Sequence, residues 1–245
     1  FITTNQPPAG SQGRTTQMPQ VLIIHSSAQI GESRKENQGS YTRQMARLLK
    51  DSLKGRGVRL VERDVAAHPP GMIDASFINA SRTPENQRTP EQIERLRESD
   101  ALVDEVLRSD VIVVGCPLYN FGIPAPLKAW IDNIVRLGRT FTMGEQRKPR
   151  VIYGLLHNKM VVILASTGCS GYQPGGCREE LNHGDKAVRA VFENLGVHAF
   201  EYVVMEGVCE DAPEEIEAKW TRSRLKIDEV ARRIQTRWRN RHCIN

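Results

Sequence analysis

The residues best suited to chemistry in this chain lie in three short stretches, each placed directly after an apolar run. Pro117-Leu118-Tyr119-Asn120-Phe121-Gly122 follows the run from Val111 to Val114. Ser26 and Ser27 follow the run from Val21 to Ile24 and lead on to Ser40-Tyr41-Thr42. Ser166-Thr167-Gly168-Cys169 follows the run from Met160 to Leu164. An aromatic pair and an amide in the first stretch suit a flat ligand with hydrogen-bonding edges, and a flavin ring is the natural candidate. Hydroxyls and free N–H groups at a helix start, as in the second, suit an anion such as phosphate. Taken singly, each stretch also reads as something plainer: an N-cap, a Tyr–Phe pair closing the core, a β-turn. Their joint meaning depends on whether the fold brings them together.

The elements that must position them alternate between strand and helix patterns, which predicts a parallel sheet covered by helices. Strands are expected over 21–25, 58–64, 111–116, 160–164 and 198–205. Met45, Leu48, Leu49 and Leu53 have helical spacing, predicting a helix over 42–53 that ends at Gly55 and Gly57. Thr89-Pro90 opens a helix reaching about Arg108, since Thr caps and Pro fits the first turn. Further helices are expected from Pro126, over 185–195 and over 212–237. Residues 65–88, expected over the sheet edge, and 142–158 are long excursions. The fold class is therefore α/β, a flavodoxin-like doubly wound five-stranded parallel sheet of order 2-1-3-4-5. In that order the first, third and fourth strands are neighbours, so the three stretches converge at the switch point, where ligands bind beyond the strand carboxyl ends.

Residues 1–17 are polar, rich in Pro, Gly and Gln, and lack a signal-peptide core, so a disordered extension is expected ahead of a domain over 18–237 and a basic tail over 238–245. The net charge of +5 is misleading, because from Thr221 onward the chain carries eight Lys/Arg against two Asp/Glu. Such a terminal run reads as a solvated helix end, so a nucleic-acid partner is not expected. No apolar run approaches the roughly 20 residues of a membrane span. Five cysteines without C-x-x-C spacing predict reduced thiols in a cytoplasmic protein. The six histidines have no metal-ligand spacing, so no metal site is expected.

Leu118-Tyr119-Asn120-Phe121, with Leu127-Lys128, Thr140-Phe141, Thr89-Pro90, Arg63 to Ala67 and Glu206-Gly207, resembles the FMN-dependent NADH-azoreductase family of flavodoxin-like quinone reductases. The resemblance covers about residues 19–235. It implies non-covalent FMN, NADH or NADPH as hydride donor, quinone or azo substrates, ping-pong kinetics, and a homodimer with sites at the subunit interface. It implies phosphate contacts from Ser27 and Ser40-Tyr41-Thr42, with Ser33 as a rival in a loop longer than the family's. Pro117, Leu118, Tyr119, Asn120 and Phe121 would line the ring, their loop's N–H groups meeting its edge. Ser166, Thr167, Gly168 and Cys169 would contact its pyrimidine side; the family usually has Ser-Arg-Gly-Gly there. No side chain is required as a catalytic acid. The alternatives are a flavodoxin-type electron carrier, or an ester or phosphodiester hydrolase using Ser26 or Ser166. His25 cannot easily serve Ser26, because neighbours along a strand point to opposite faces.

Overall fold

The structure, a computed structural model, describes residues 18–30, 39–144 and 151–242. The expected N-terminal extension, Ser33 and Cys243 lie outside the described residues. Each central strand is apolar on both faces, so it needs a helical layer on each side. Strand β1 (Gln20–His25) sends Leu22 and Ile24 one way and Val21 and Ile23 the other. Beyond it come α1 (Tyr41–Leu53), β2 (Arg59–Asp64), α2 (Ala75–Arg82), α3 (Pro90–Arg108), β3 (Val111–Pro117) and α4 (Ala125–Ile134). The chain continues through β4 (Phe141–Met143), β5 (Ile152–Gly154), β6 (Met160–Ser166), α5 (Asp185–Asn194), β7 (Ala199–Met205) and α6 (Pro213–His242).

The main sheet has order β2-β1-β3-β6-β7, all parallel. This is the expected 2-1-3-4-5 order; the numbers shift because β4 and β5 form a separate antiparallel hairpin in the second excursion. Leu22, Ile24, Ile112, Val114 and Val161 pack under α3, α4 and α5 through Val103, Trp130 and Phe192. Val21, Ile23, Val113 and Val162 pack under α1 and α6 through Met45, Leu49, Ile227 and Val230. Strand β3 is buried throughout, whereas edge strand β2 is half-exposed, as its alternating sequence predicts.

Local signals set the helix starts. Thr89 accepts from Gln92 N–H at 3.3 Å while the Gln92 side chain accepts from Thr89 N–H at 3.0 Å, a reciprocal cap behind Pro90. The first excursion holds a helix not read from sequence. Asp74 caps α2, and its Phe77 and Ala80 pack on Leu96 of α3, not over the sheet edge. The final helix overshoots the expected end at Arg237 and runs to His242, taking in part of the segment expected as a tail. Its basic face is partly neutralised, since Arg233 pairs with Glu201 and Glu229. Among the described residues no helix is long and apolar enough to cross a membrane.

Candidate functional site

The carboxyl ends of β1, β3 and β6 open into one cavity of about 260 Å³. Of the residues singled out from sequence, Ser27, Ser40, Tyr41, Pro117, Leu118, Tyr119, Ser166, Thr167 and Gly168 line it. Gln29, Gly39, Val208 and Cys209 complete the wall. Two larger cavities, about 380 and 440 Å³, lie at the opposite end of the sheet beside Pro19 and along the β7 edge. Neither gathers the loops after β1, β3 and β6 at the switch point, so topology, not size, selects the smaller one.

The first wall is the start of α1. Ser40 is its N-cap, accepting from Arg43 N–H at 3.3 Å, and its hydroxyl lies 3.0 Å from that of Thr42. Thr42 is buried and does not reach the cavity surface; it supports Ser40 from behind. The first-turn N–H groups of a helix have no intrahelical acceptor, so this wall favours an anion. Ser26 is turned away, its hydroxyl donating to the Gly115 carbonyl at 2.6 Å. His25 meets Glu62 at 3.0 Å. The Ser26–His25 pairing a hydrolase would need is therefore not made.

The second wall is the turn after β3. Tyr119 and Gly122 exchange two backbone hydrogen bonds of 3.0 Å, and Asn120 and Phe121 between them take φ of 48° and 69°. A tight two-residue turn with both central residues left-handed normally calls for Asn-Gly. Phe in that region costs roughly 1–2 kcal/mol, and such strain persists where the surroundings impose it. Here the Phe121 carbonyl accepts from His183 N–H at 3.0 Å. Phe121→Gly should raise stability by a net ~0.5–1 kcal/mol once glycine's extra chain entropy is subtracted. A thermal scan of the flavin-free protein checks this; an unchanged or lower midpoint contradicts it. Asn120 and Phe121 stand exposed at the tip, outside the cavity lining. The expectation that N–H groups of the 118–121 loop meet a ring edge narrows to two of them. Leu118 N–H already donates to Ser166 at 2.8 Å and Tyr119 N–H to Gly122, leaving Asn120 and Phe121.

The third wall follows β6. Thr167 N–H donates to the Met205 carbonyl at 2.9 Å, and Cys209 N–H to the Gly168 carbonyl at 2.9 Å. These bonds draw the loop after β7 into the site, which is how Val208 and Cys209 come to line it. Their signal in the sequence was their place just past the fifth strand. Cys169 is not in the lining; its thiol is pushed up by a hydrogen bond to the Glu210 carboxylate, which is itself held low chiefly by Ser170 N–H. Cys116, buried beneath the site, is pushed up to about 12 by desolvation and then by Asp185. It stays a neutral thiol. Cys116, Cys169, Cys177 and Cys209 are all unpaired. No group of His, Cys, Asp or Glu among the described residues could hold a metal ion.

A doubly wound parallel sheet with a polar, aromatic-walled cavity at its switch point defines the flavodoxin class of nucleotide-binding proteins. The sequence model described as flavodoxin-like fold matches residues 19–228, and the chain belongs to this family. It is 36% identical over 185 residues to the FMN-dependent NADH:quinone oxidoreductase of Rhizobium leguminosarum, with 75% of this chain and 87% of that protein covered. It is 41% identical over 146 residues to FMN-dependent NADH:quinone oxidoreductase 2 of Idiomarina loihiensis, a match spanning 60% of this chain and 61% of that protein. The solved FMN-dependent NADH-azoreductase from Bacillus anthracis, in complex with FMN, shares the fold at a TM-score of 0.74 and 20% identity, over 89% of this chain and 100% of that one.

Proposed function

We propose that this chain is an FMN-dependent oxidoreductase that uses NADH or NADPH to reduce quinones and azo compounds. The observation that carries the reading is the meeting of the loops after β1, β3 and β6 in one cavity, beside the start of α1. The residues fit the cofactor chemically. Ser27 and Ser40, with the start of α1, form the phosphate end. Pro117 to Tyr119 form the ring wall, with Asn120 and Phe121 at its exposed rim, and Ser166 to Gly168 with Val208 and Cys209 face its pyrimidine side. Bound there, FMN supplies two-electron hydride chemistry, while the protein supplies placement and a defined electrostatic setting. The Tyr119–Phe121 turn forms the mouth, where an exposed aromatic pair can cover a flat substrate. Donor and acceptor use that mouth in turn, which makes the kinetics ping-pong.

Freshly purified protein should be yellow, with one FMN per chain released on heating. Anaerobic NADH or NADPH should bleach it and a quinone should restore the colour, with parallel initial-rate lines. A colourless protein that takes up no FMN overturns the reading, and intersecting lines overturn the shared mouth.

The reading includes a homodimer. In support, the excursions expresses exposed apolar surface: Met72, Ile73 and Ile78 around α2, and Ile152 and Tyr153 on the β4–β5 hairpin. Unpaired thiols fit a reducing, cytoplasmic setting.

A further inference from the structure

Arg43 stands three residues into α1, a cation at the positive end of the helix, where an isolated helix disfavours it. It is nevertheless buried, at 8% exposure. Its guanidinium makes a two-pronged pair with Asp64 at the end of β2, Nη1 to Oδ2 at 2.6 Å and Nη2 to Oδ1 at 3.0 Å. Two further donors go to the loop after β1: Nη2 to the Ser27 carbonyl at 2.8 Å and Nε to the Gln29 carbonyl at 3.0 Å. Asp64 is anchored in turn, accepting from Ala66 and Ala67 N–H at 3.1 and 3.0 Å. Burial raises its carboxyl, but the bonds from Arg43 and Ala67 prevail and hold it below the usual 3.8.

One side chain thus ties the end of β1, the end of β2 and the start of α1. Its effect on the loop is directional. The carbonyls of Ser27 and Gln29 are taken by the guanidinium, while Ala28 N–H donates to the Tyr119 hydroxyl at 3.2 Å, on the cavity wall. The Ser27 hydroxyl lies 3.3 Å from the same Tyr119 oxygen. Ala28 N–H and Ser27 Oγ therefore both face the position of the Tyr119 oxygen, a place that a phosphate oxygen could fill.

We propose that Arg43 is the positioning residue for the phosphate end of the site: without touching the ligand, it fixes residues 27–29 so that Ser27 Oγ and Ala28 N–H stay turned toward the cavity. The inference rests on the FMN reading and adds a residue that reading does not include. Lysine keeps the charge but has no fork, so it cannot hold Asp64 and two carbonyls together.

The test titrates flavin-free protein with FMN and with riboflavin, which lacks the phosphate. Wild type should bind FMN more tightly. Arg43→Lys should weaken FMN by about 10- to 100-fold, the scale of lost hydrogen bonds to a charged group, with riboflavin changed by less than about threefold. Asp64→Asn, which leaves the carbonyl contacts of Arg43 in place, should give a smaller loss with the same selectivity. It also serves if the lysine variant does not fold by circular dichroism. Equal losses for both flavins, or none, overturn the proposal and leave the FMN reading standing. Wild type that binds neither flavin overturns both.

Discussion

Ser40→Asp should strip the flavin from this protein while leaving its fold in place. Ser40 caps α1, and Asp caps a helix about as well as Ser, so the flavin-free variant should melt within a few degrees of wild type. The new carboxylate would stand at the cavity wall where the proposed phosphate binds. Two unit charges about 4 Å apart near a protein surface repel by about 4 kcal/mol, so FMN affinity should fall by roughly 100-fold or more. Thr42 is a poorer place for the same charge, because its side chain is buried behind Ser40 and a carboxylate there would have no water. Fluorescence titration with FMN reads the result. Unchanged affinity would move the phosphate away from Ser40, with Ser33 the next residue to replace.

The second large effect is on stability and lies away from the cavity. Gly154 closes β5 where the hairpin crosses the end of α5. A Cβ on it would sit 2.0 Å from the Leu195 carbonyl carbon and 2.1 Å from Gly196 N. Both are backbone atoms, so no side chain can swing aside. The two segments are also bonded nearby, Leu156 N–H to the Leu195 carbonyl at 2.8 Å. Gly154→Ala must therefore push the hairpin off the helix, at a cost of roughly 3 kcal/mol, the upper range for overpacking. For a domain of this size that lowers the melting midpoint by about 6–12 °C. FMN affinity at low temperature should change little, because the hairpin is not part of the cavity wall. A midpoint within a degree of wild type would refute the close contact.

The two substitutions separate what can be read locally from what cannot. Ser40 as a helix start, Thr89-Pro90 as another, and the doubly apolar run of β3 are all legible in sequence, because caps and hydrophobic period act over a few residues. With them came the sheet order, since alternating strands and helices leave few topologies. The order in turn named the strand ends that meet, so nine of the sequence-chosen residues line the cavity. The short hairpin strands and α2 escaped notice. Three-residue strands carry too little periodicity, and α2 is held by Phe77 and Ala80 packing on a helix further along the chain.

By itself the sequence determined the class of fold, the alternation that buries both faces of the sheet, and which loops carry the polar and aromatic residues. Tertiary structure alone decided how those loops are held. It took Arg43 to Asp64 and to the Ser27 and Gln29 carbonyls, brought Val208 and Cys209 into the wall, and spent the N–H groups of Leu118 and Tyr119 inside the protein. It also set Asn120 and Phe121 left-handed, against the preference of a bulky side chain. Most of these outcomes depend on donors and acceptors that lie far apart in the chain and meet only once the sheet has formed, and hydrogen-bond partners at that range leave no periodic trace in the residues that make them.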